Sequence, residues 1–564
     1  MIFAAGLLFL YKLLYSFFFL SLTEYRYTAC FVGQSVLIVP ALYCLSIFIS
    51  ANISEGLHGK LSLWLSRCTQ SVFLVLIGLS AFILTFSIYS FLFHRSAIAF
   101  NLDEIGYLFQ ARNFISGKLY SPAPQELLAK FFDTYHVVIH QGKIFGRYPF
   151  GHSVVLMVGI LAGALNCIPP LIAALNVIFI YYVAREVYDK GAAVCASLLC
   201  LLCPYFLCYS STLLSEGSSL LLLSLVFFFF VKFIKNPHKV LYPLLCGFFL
   251  GIKFNVRPIS AVSASIPFML YALYLLYKAQ WLYVKGFVAI TLSFSVMLGI
   301  FLLYNYSLTG DPLLMPYTIY APHDRLGFGP EMGGAVKEWG EAEGHTVIKG
   351  LKAISANITS VNQWIGWGFP LSLLLSVVLF IKGKRCEWDW LSLGIIVSIL
   401  IIVIPYWCCS NPVRALGTTM YYFEMVLPLS LLSGHAIYVF IQNKSDYRKR
   451  LVVIFMILTL VACLYSLRGP VNEARVLTKS YRRMSEQIQK LKIHHSIIFV
   501  QTEPNNSKGI PLVPYHNDPS FGGDIVYGLD LGYERNRALI EAYPDRNIYL
   551  WEKNSLRLVE YNHG

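Results

Sequence analysis

The sequence predicts a mainly α protein: a polytopic bundle of about thirteen membrane helices with long outer-face loops and a small C-terminal α/β domain. Three observations predict it. The 564 residues are 57% hydrophobic and only 13% charged, and mean hydropathy is +0.61, whereas soluble domains run at about 45–50% apolar. Apolar runs long enough to cross a bilayer, about 20 residues each, recur along most of the chain. Lys and Arg sit in short stretches between those runs, on alternate sides.

The spans are expected at 2–22, 29–50, 69–93, 169–187, 191–209, 213–231, 240–254, 258–277, 286–306, 364–381, 390–408, 421–441 and 451–467. The first run lacks a small-residue cleavage site and is followed at once by another, so it is expected to be retained. With the N-terminus in the cytoplasm, the inner loops 51–68, 185–190, 232–239, 278–285, 382–389 and 442–450 hold sixteen Lys and Arg. The short outer connections then hold three, Arg26, Arg257 and Arg414, which is the asymmetry the positive-inside rule demands. The loops 94–152 and 307–363 and the tail from Arg468 all fall outside. The chain divides into a two-span extension (1–68), a core (69–467) and an outer domain (468–564).

The tail alternates apolar runs at Ser496–Val500, Asp524–Tyr527 and Asn547–Trp551 with helical stretches at Arg475–Lys490 and Glu534–Ala542, the pattern of a small α/β unit. It carries no nucleophile elbow or phosphate loop. The segment Gly151–Gly163 is too short to span and reads as an interfacial helix.

Composition also excludes functions. The formal charge of +14 is spread over inter-span loops, so nucleic acid is not an expected partner. The thirteen cysteines lie almost entirely in or beside apolar segments and imply no disulfide framework; Cys200 and Cys203 read as two buried helix cysteines. His136 and His140 have ligand-like spacing, but Val137, Val138 and Ile139 between them favour a strand and surface histidines over metal. The glycine-rich run Arg325–Gly334 follows no clear strand and is not read as a nucleotide loop.

The chemistry-bearing residues gather on one face. Parity places Asp103, Glu104, Arg147, Tyr148, His152, Glu216, Lys253, Arg257, Arg325 and Arg414 there, with Glu424 about one turn inside the membrane. An ionised carboxylate at mid-bilayer costs about 2.5–3.5 kcal/mol, so Asp103–Glu104 belongs at the surface. There a lipid-borne substrate meets a water-borne one. Moving a sugar from a lipid phosphate to a hydroxyl needs a base for the acceptor and fixed cations for the departing phosphate. A carboxylate supplies the first and arginine the second.

Asp103 and Glu104 point about 100° apart on a helix, so one would do chemistry while the other positions backbone or an ion; Asp103 capping that helix is the plain alternative. Arg257 sits at a turn beside Pro258, as a phosphate clamp or a headgroup-facing arginine. Glu216 opens a span, where a helix-dipole role competes with a catalytic one. Glu424 needs a partner, for which Arg414 is a candidate.

The residues Asn101-Leu-Asp-Glu-Ile-Gly-Tyr-Leu-Phe-Gln-Ala111, Gly117-Lys-Leu-Tyr-Ser-Pro122 and Arg147-Tyr-Pro-Phe-Gly-His152 resemble the first outer loop of family 39-like glycosyltransferases. These are the relatives of dolichyl-phosphate-mannose–protein mannosyltransferases and of the aminoarabinose transferase of lipid A. Leu214-Ser-Glu216, Val256-Arg-Pro258, Tyr304–Pro312, Met315-Pro-Tyr317 and Met420-Tyr-Tyr-Phe-Glu424 extend the resemblance over about 70–470.

It implies a GT-C fold, a polyprenyl-phosphate-linked sugar donor, inversion at the sugar carbon and Asp103 as the catalytic acid, with Glu104 adjacent. Arg257, then Arg147, are the implied phosphate contacts; Tyr148 and His152 would line the site. The chain departs from the pattern in its two extra leading spans and in Tyr-Pro-Phe where a second proline is common. The acceptor is a lipid, glycan or protein, no cofactor is assigned, and a divalent cation is left open. By analogy the site of action is a bacterial plasma membrane. Two rivals remain: a glycan polymerase or ligase, which would weight Arg325 and Arg414, and a lipid or glycan transporter, which would show internal repeats.

Overall fold

A computed structural model describes residues 70–93, 102–132, 136–322, 324–332, 344–354, 376–377, 379–381, 385–407, 418–442, 454, 479–501, 517–552 and 554–561. The expected spans 2–22 and 29–50, and nearly all of 364–381 and 451–467, lie outside the described residues.

The membrane body begins with α1 (Gln70–Phe93), followed by α2 (Leu102–Ile115) at the site end of the bundle. A three-stranded antiparallel sheet follows, β1 (Ser121–Pro122), β2 (Val137–His140) and β3 (Lys143–Gly146), in the order β1-β3-β2. Next come α3 (Phe150–Leu161), α4 (Ile168–Val187), α5 (Lys190–Leu201), α6 (Pro204–Tyr209), α7 (Glu216–Lys235), α8 (Leu241–Val256), α9 (Pro258–Ala279), α10 (Val284–Thr309), α11 (Pro316–Tyr320), α12 (Glu387–Val403) and α13 (Val426–Ile441). Among the described residues six helical segments are long and apolar enough to cross a membrane: Gln70–Tyr89, Leu165–Val187, Glu216–Lys235, Pro258–Lys278, Val284–Thr309 and Met420–Phe440.

Several expected spans are revised. The stretch 191–209 is broken, because Pro204 has no N–H to continue the ladder and instead opens α6, with Cys203 as its N-cap. Cys200 is buried and Cys203 half-buried, both free, so the pair flanks the break rather than lying mid-helix. The span expected from 213 begins at Glu216, because Leu213 is held in the preceding loop on both sides of its peptide: its N–H by Glu104 and its carbonyl by His152. The span expected from 421 opens as a 3-10 helix, Thr418–Met425, before α13. The turn between α8 and α9 is as expected, with Arg257 capping one helix and Pro258 starting the next.

Glycines let helices meet closely. A Cβ on Gly247 would lie 2.2 Å from the carbonyl oxygen of Ile290, so α8 and α10 touch backbone to backbone there. The core is a continuous cluster from α1, α4 to α9, α12 and α13, with Tyr181, Phe206, Phe227 and Tyr422 among its fully buried side chains.

The tail contains α14 (Lys479–Leu491), β4 (Ser496–Val500), β5 (Ile525–Leu529), α15 (Tyr533–Ala542), β6 (Asn547–Glu552) and β7 (Arg557–Glu560). Strand order is β5-β4-β6-β7; the first three are parallel and β7, which sequence patterning did not suggest, is antiparallel. All five residues of β4 are buried, as a central strand covered on both faces requires.

Candidate active site

Asp103 and Glu104 lie in the first turn of α2, and the structure separates them. The Glu104 side chain is fully buried and accepts the backbone N–H of Leu213 at 2.8 Å, pinning the loop that leads into α7. Asp103 stays 16% exposed, and its Oδ1 lies 3.0 Å from His136 Nε2. This meeting depends on two glycines. A Cβ on Gly106 would stand 2.7 Å from the His136 carbonyl oxygen, and one on Gly146 2.5 Å from the Gly106 carbonyl. Without side chains there, the β2–β3 hairpin lies directly on α2. His136 itself has φ of 66°, a left-handed conformation uncommon outside glycine, and its carbonyl accepts the Arg147 N–H at 3.0 Å.

Arg147 and Tyr148 follow β3. The guanidinium carbon of Arg147 sits 4.7 Å, 4.5 Å and 4.8 Å from the ring centres of Tyr148, Tyr317 and Tyr320, a cage of three tyrosines. One terminal nitrogen donates to the Tyr148 hydroxyl at 2.6 Å, and Nε is buried with no hydrogen-bond partner among the described residues. Tyr148 is also hydrogen-bonded to Asp103. Beyond the cage, Tyr317 donates to Asp324, whose other oxygen accepts from the Trp407 indole at 2.8 Å. Tyr406 connects this group to Tyr421, with hydroxyl distances of 3.0 Å to Tyr317 and 3.2 Å to Tyr421.

A second cation stands beside this group. Arg257 donates to Glu216 Oε1 at 2.6 Å and to the Ser215 hydroxyl at 3.1 Å. Tyr107, one helical turn after Asp103, donates to the same hydroxyl at 2.9 Å and stacks on Tyr148 at 4.5 Å. Arg257 is 16% exposed while Glu216 is 1% exposed, with Oε2 of Glu216 unpartnered among the described residues. Gly151 brings α3 against the C-terminal end of α8, since a Cβ there would lie 2.8 Å from the Asn255 carbonyl.

The charge states follow from these contacts. Burial and the Arg147 charge push His136 down to about 4 against the pull of Asp103, so at neutral pH it is neutral. Its Nε2 then carries the proton and donates to Asp103. Burial alone would raise the Asp103 carboxyl, but the hydrogen bonds from His136 and Tyr148 and the Arg147 charge outweigh it and hold it well below the usual carboxylate range. Asp103 is an anion at every physiological pH.

Not every expected residue joins the site. His152 is buried and uses both ring nitrogens internally, 3.0 Å from the Ser218 hydroxyl and 2.8 Å from the Leu213 carbonyl. Lys253 is fully buried and pairs with Glu424 at 2.5 Å, with Ser219 bonded to both. Lys253 is therefore the partner Glu424 needed. Arg414 lies outside the described residues. Arg325 is exposed, and its neighbour Asp324 is the residue that joins the cluster.

Sequence reading missed His136 as the partner of Asp103, having weighed it only against His140 for metal. It also missed Tyr107, Tyr317, Tyr320 and Asp324, although Tyr107 and Tyr317 lie in the very motifs that carried the resemblance. Among the described residues, the one trio of metal-type ligands is Cys386, Asp389 and His435. It lies at the far end of α12, about 24 Å from Val403 at 1.5 Å per residue. Ordinary contacts account for it: Asp389 closes a capping box with Cys386 and accepts from Tyr188 at 2.7 Å and His435 at 3.0 Å.

Residues 154–300 match the family model of dolichyl-phosphate-mannose-protein mannosyltransferases, and 496–555 match a domain of unknown function, DUF7846. No curated protein matches the sequence. Among solved structures, ArnT from Cupriavidus metallidurans bound to undecaprenyl phosphate is 14% identical with a TM-score of 0.50, covering 86% of this chain and 94% of that one. The archaeal oligosaccharyltransferase AglB from Archaeoglobus fulgidus, in complex with an inhibitory peptide and a dolichol-phosphate, is 14% identical with a TM-score of 0.43, covering 84% and 69%. The helix order, the acid at the head of the first site-end helix and the ArnT likeness agree: the chain is built on the GT-C glycosyltransferase fold.

Proposed function

We propose that this protein is an integral-membrane glycosyltransferase that moves a sugar from a polyprenyl-phosphate carrier to an acceptor hydroxyl at the extracytoplasmic face, with inversion. The carrying observation is the neighbourhood of Asp103: an anion, partly open, between a neutral imidazole and a tyrosine hydroxyl, with Arg147 and Arg257 close by.

In this reading the acceptor hydroxyl docks against Asp103 and attacks the sugar carbon from the side opposite the carrier. Its proton passes to the carboxylate as the new glycosidic bond forms and the bond to the carrier phosphate breaks. Each hydrogen bond to a carboxylate weakens it as a base, so an acceptor that displaces the Tyr148 hydroxyl raises the basicity of Asp103 as it docks. The leaving phosphate gains negative charge. Arg257 is placed to receive it: it is partly exposed, its Glu216 partner sits beneath it, and a planar guanidinium offers two-pronged donation. Arg147, held between three tyrosine rings, supplies a second fixed positive charge that costs no reorganisation during the reaction.

The inner end is marked by Glu186 with Lys232 and Lys235, which matches the lysine-rich loops expected in the cytoplasm. That supports an outward-facing site; the plasma-membrane location is inferred by analogy alone. The test is lipid and glycan mass spectrometry on a strain lacking the gene. A polyprenyl-phosphate sugar should accumulate while one sugar-bearing lipid, glycan or protein loses that sugar's mass, and the intact gene should reverse both. Unchanged carrier-linked and product pools would refute the reading.

A further inference from the structure

The tail sheet is finished on one side by the catalytic loop. Along β4, side chains alternate between faces. Ile498 and Val500, with Tyr527 of β5, pack with Met484 of the tail's own helix α14. Ile497 and Phe499, with Val526 of β5, instead enter the cluster of the loop: Ile105, Leu108, Leu128, Phe131 and Phe132. The rings of Phe131 and Phe499 are 6.2 Å apart and those of Phe132 and Phe521 4.1 Å. A Cβ on Gly528 would come within 2.7 Å of Leu539 and 3.6 Å of the Phe131 Cβ, so the fit there is tight.

The grip falls on both partners of the catalytic pair. Phe131 and Phe132 lie just upstream of His136. Arg112, on the same helix as Asp103, donates to the Asn517 carbonyl at 3.0 Å. The gripping residues are themselves fixed. Asn517 exchanges side-chain bonds with the Tyr527 backbone at 2.7 Å and 2.8 Å, and the Phe521 carbonyl accepts the Tyr543 hydroxyl at 3.0 Å.

We propose that the C-terminal α/β unit is a clamp that sets the register of the catalytic pair, with Phe521, Phe499 and Asn517 as positioning residues for His136 against Asp103. The proposal rests on the reading of Asp103 as the base. None of these residues touches the reacting atoms. The clamp acts by holding the loop that carries His136 and the helix that carries Asp103 as one body.

The experiment uses the full chain in membranes of the deletion strain, with turnover read as formation of the sugar-bearing product by mass spectrometry. Phe521→Ala should lower the maximal rate at least tenfold while purified protein keeps its affinity for undecaprenyl phosphate within twofold. The acid limb of the pH–rate profile should move to higher pH, because Asp103 loses a hydrogen bond that keeps it low. Hydrogen exchange should rise across 136–147 and stay unchanged across 216–256. Phe521→Leu should recover most of the rate.

Where Phe521→Ala fails to fold, Arg112→Gln provides the same directions at about threefold. Wild-type turnover with unchanged exchange at 136–147 in the folded variant would overturn the clamp. Asp103→Asn, run alongside, separates the two claims. An inactive Asp103→Asn beside a fully active Phe521→Ala rejects the clamp alone, and an active Asp103→Asn rejects the base on which it rests.

Discussion

Two layers at the site end of the bundle carry the same kinds of residue and use them in opposite ways. In the upper layer, Asp103 and Arg257 are each 16% exposed. In the lower, Glu104 and Lys253 are fully buried, one holding a backbone N–H and the other locked to Glu424 and Ser219. Asp103 and Glu104 are chain neighbours, and Arg257 follows Lys253 by a single helical turn. Residue type therefore does not separate open side chains from sealed ones; the 100° between adjacent helix positions and the loop that lands on top do.

The lower layer stabilises the upper one. Removing one member of a buried ion pair leaves an uncompensated charge and costs about 3–5 kcal/mol, whereas replacing both by apolar groups is often neutral. Lys253→Met should accordingly lower the thermal midpoint of the protein by many degrees, and Lys253→Met with Glu424→Leu should restore most of it. The folded fraction should bind undecaprenyl phosphate normally in both. Arg257→Leu should weaken undecaprenyl phosphate about 100-fold, in line with loss of a charge-assisted phosphate contact of about 1.5–3 kcal/mol. It should also lower the midpoint, because it strands the buried Glu216 carboxylate, and Arg257→Leu with Glu216→Gln should restore the midpoint while lipid binding stays weak. A Lys253 variant that folds normally but loses lipid binding would break the comparison.

A smaller effect comes from pH. His136 titrates at about 4 in the folded protein against an ordinary 6.5, so the unfolded chain takes up the proton first as pH falls. Stability should therefore decline between about pH 6.5 and 4, by up to about 3 kcal/mol, and Asp103 adds to the loss at still lower pH. Thermal midpoints measured across that window should fall in the wild type and fall less in His136→Gln, which cannot take the proton. Equal slopes would place the acid-sensitive group elsewhere.

Much of this was legible in the chain, for reasons tied to particular residues. Arg257-Pro258 in the middle of a long apolar run could only be a turn between two helices. The apolar runs at 496–500 and 547–551 read as strands because they are short, β-branched or aromatic, and bounded by turn residues. The acidic pair announced itself by the cost of burying it in lipid.

What sequence could not show was convergence. His136 reaches Asp103 through a hairpin seated by Gly106 and Gly146, and Tyr317 and Asp324 arrive from a loop almost two hundred residues later; neither approach leaves a periodic signal. His152 looked like a site residue because it ends the motif that begins at Arg147 and falls on the outer face, but the fold buries it against the Leu213 carbonyl and Ser218. Lys253 looked exposed from its place at the end of a span, and only the fold revealed Glu424 beside it.

The central claim is that partly open Asp103 is the base while sealed Glu104 is scaffold. The most direct measurement sets transfer rate against thermal midpoint for Asp103→Asn and Glu104→Gln side by side. The account predicts that Asp103→Asn loses at least about 1,000-fold in rate, within the range that general bases contribute, while it stays folded with a modestly lower midpoint. It predicts that Glu104→Gln loses midpoint while its folded fraction still turns over. Substantial transfer by Asp103→Asn, or a stable Glu104→Gln with none, would contradict it.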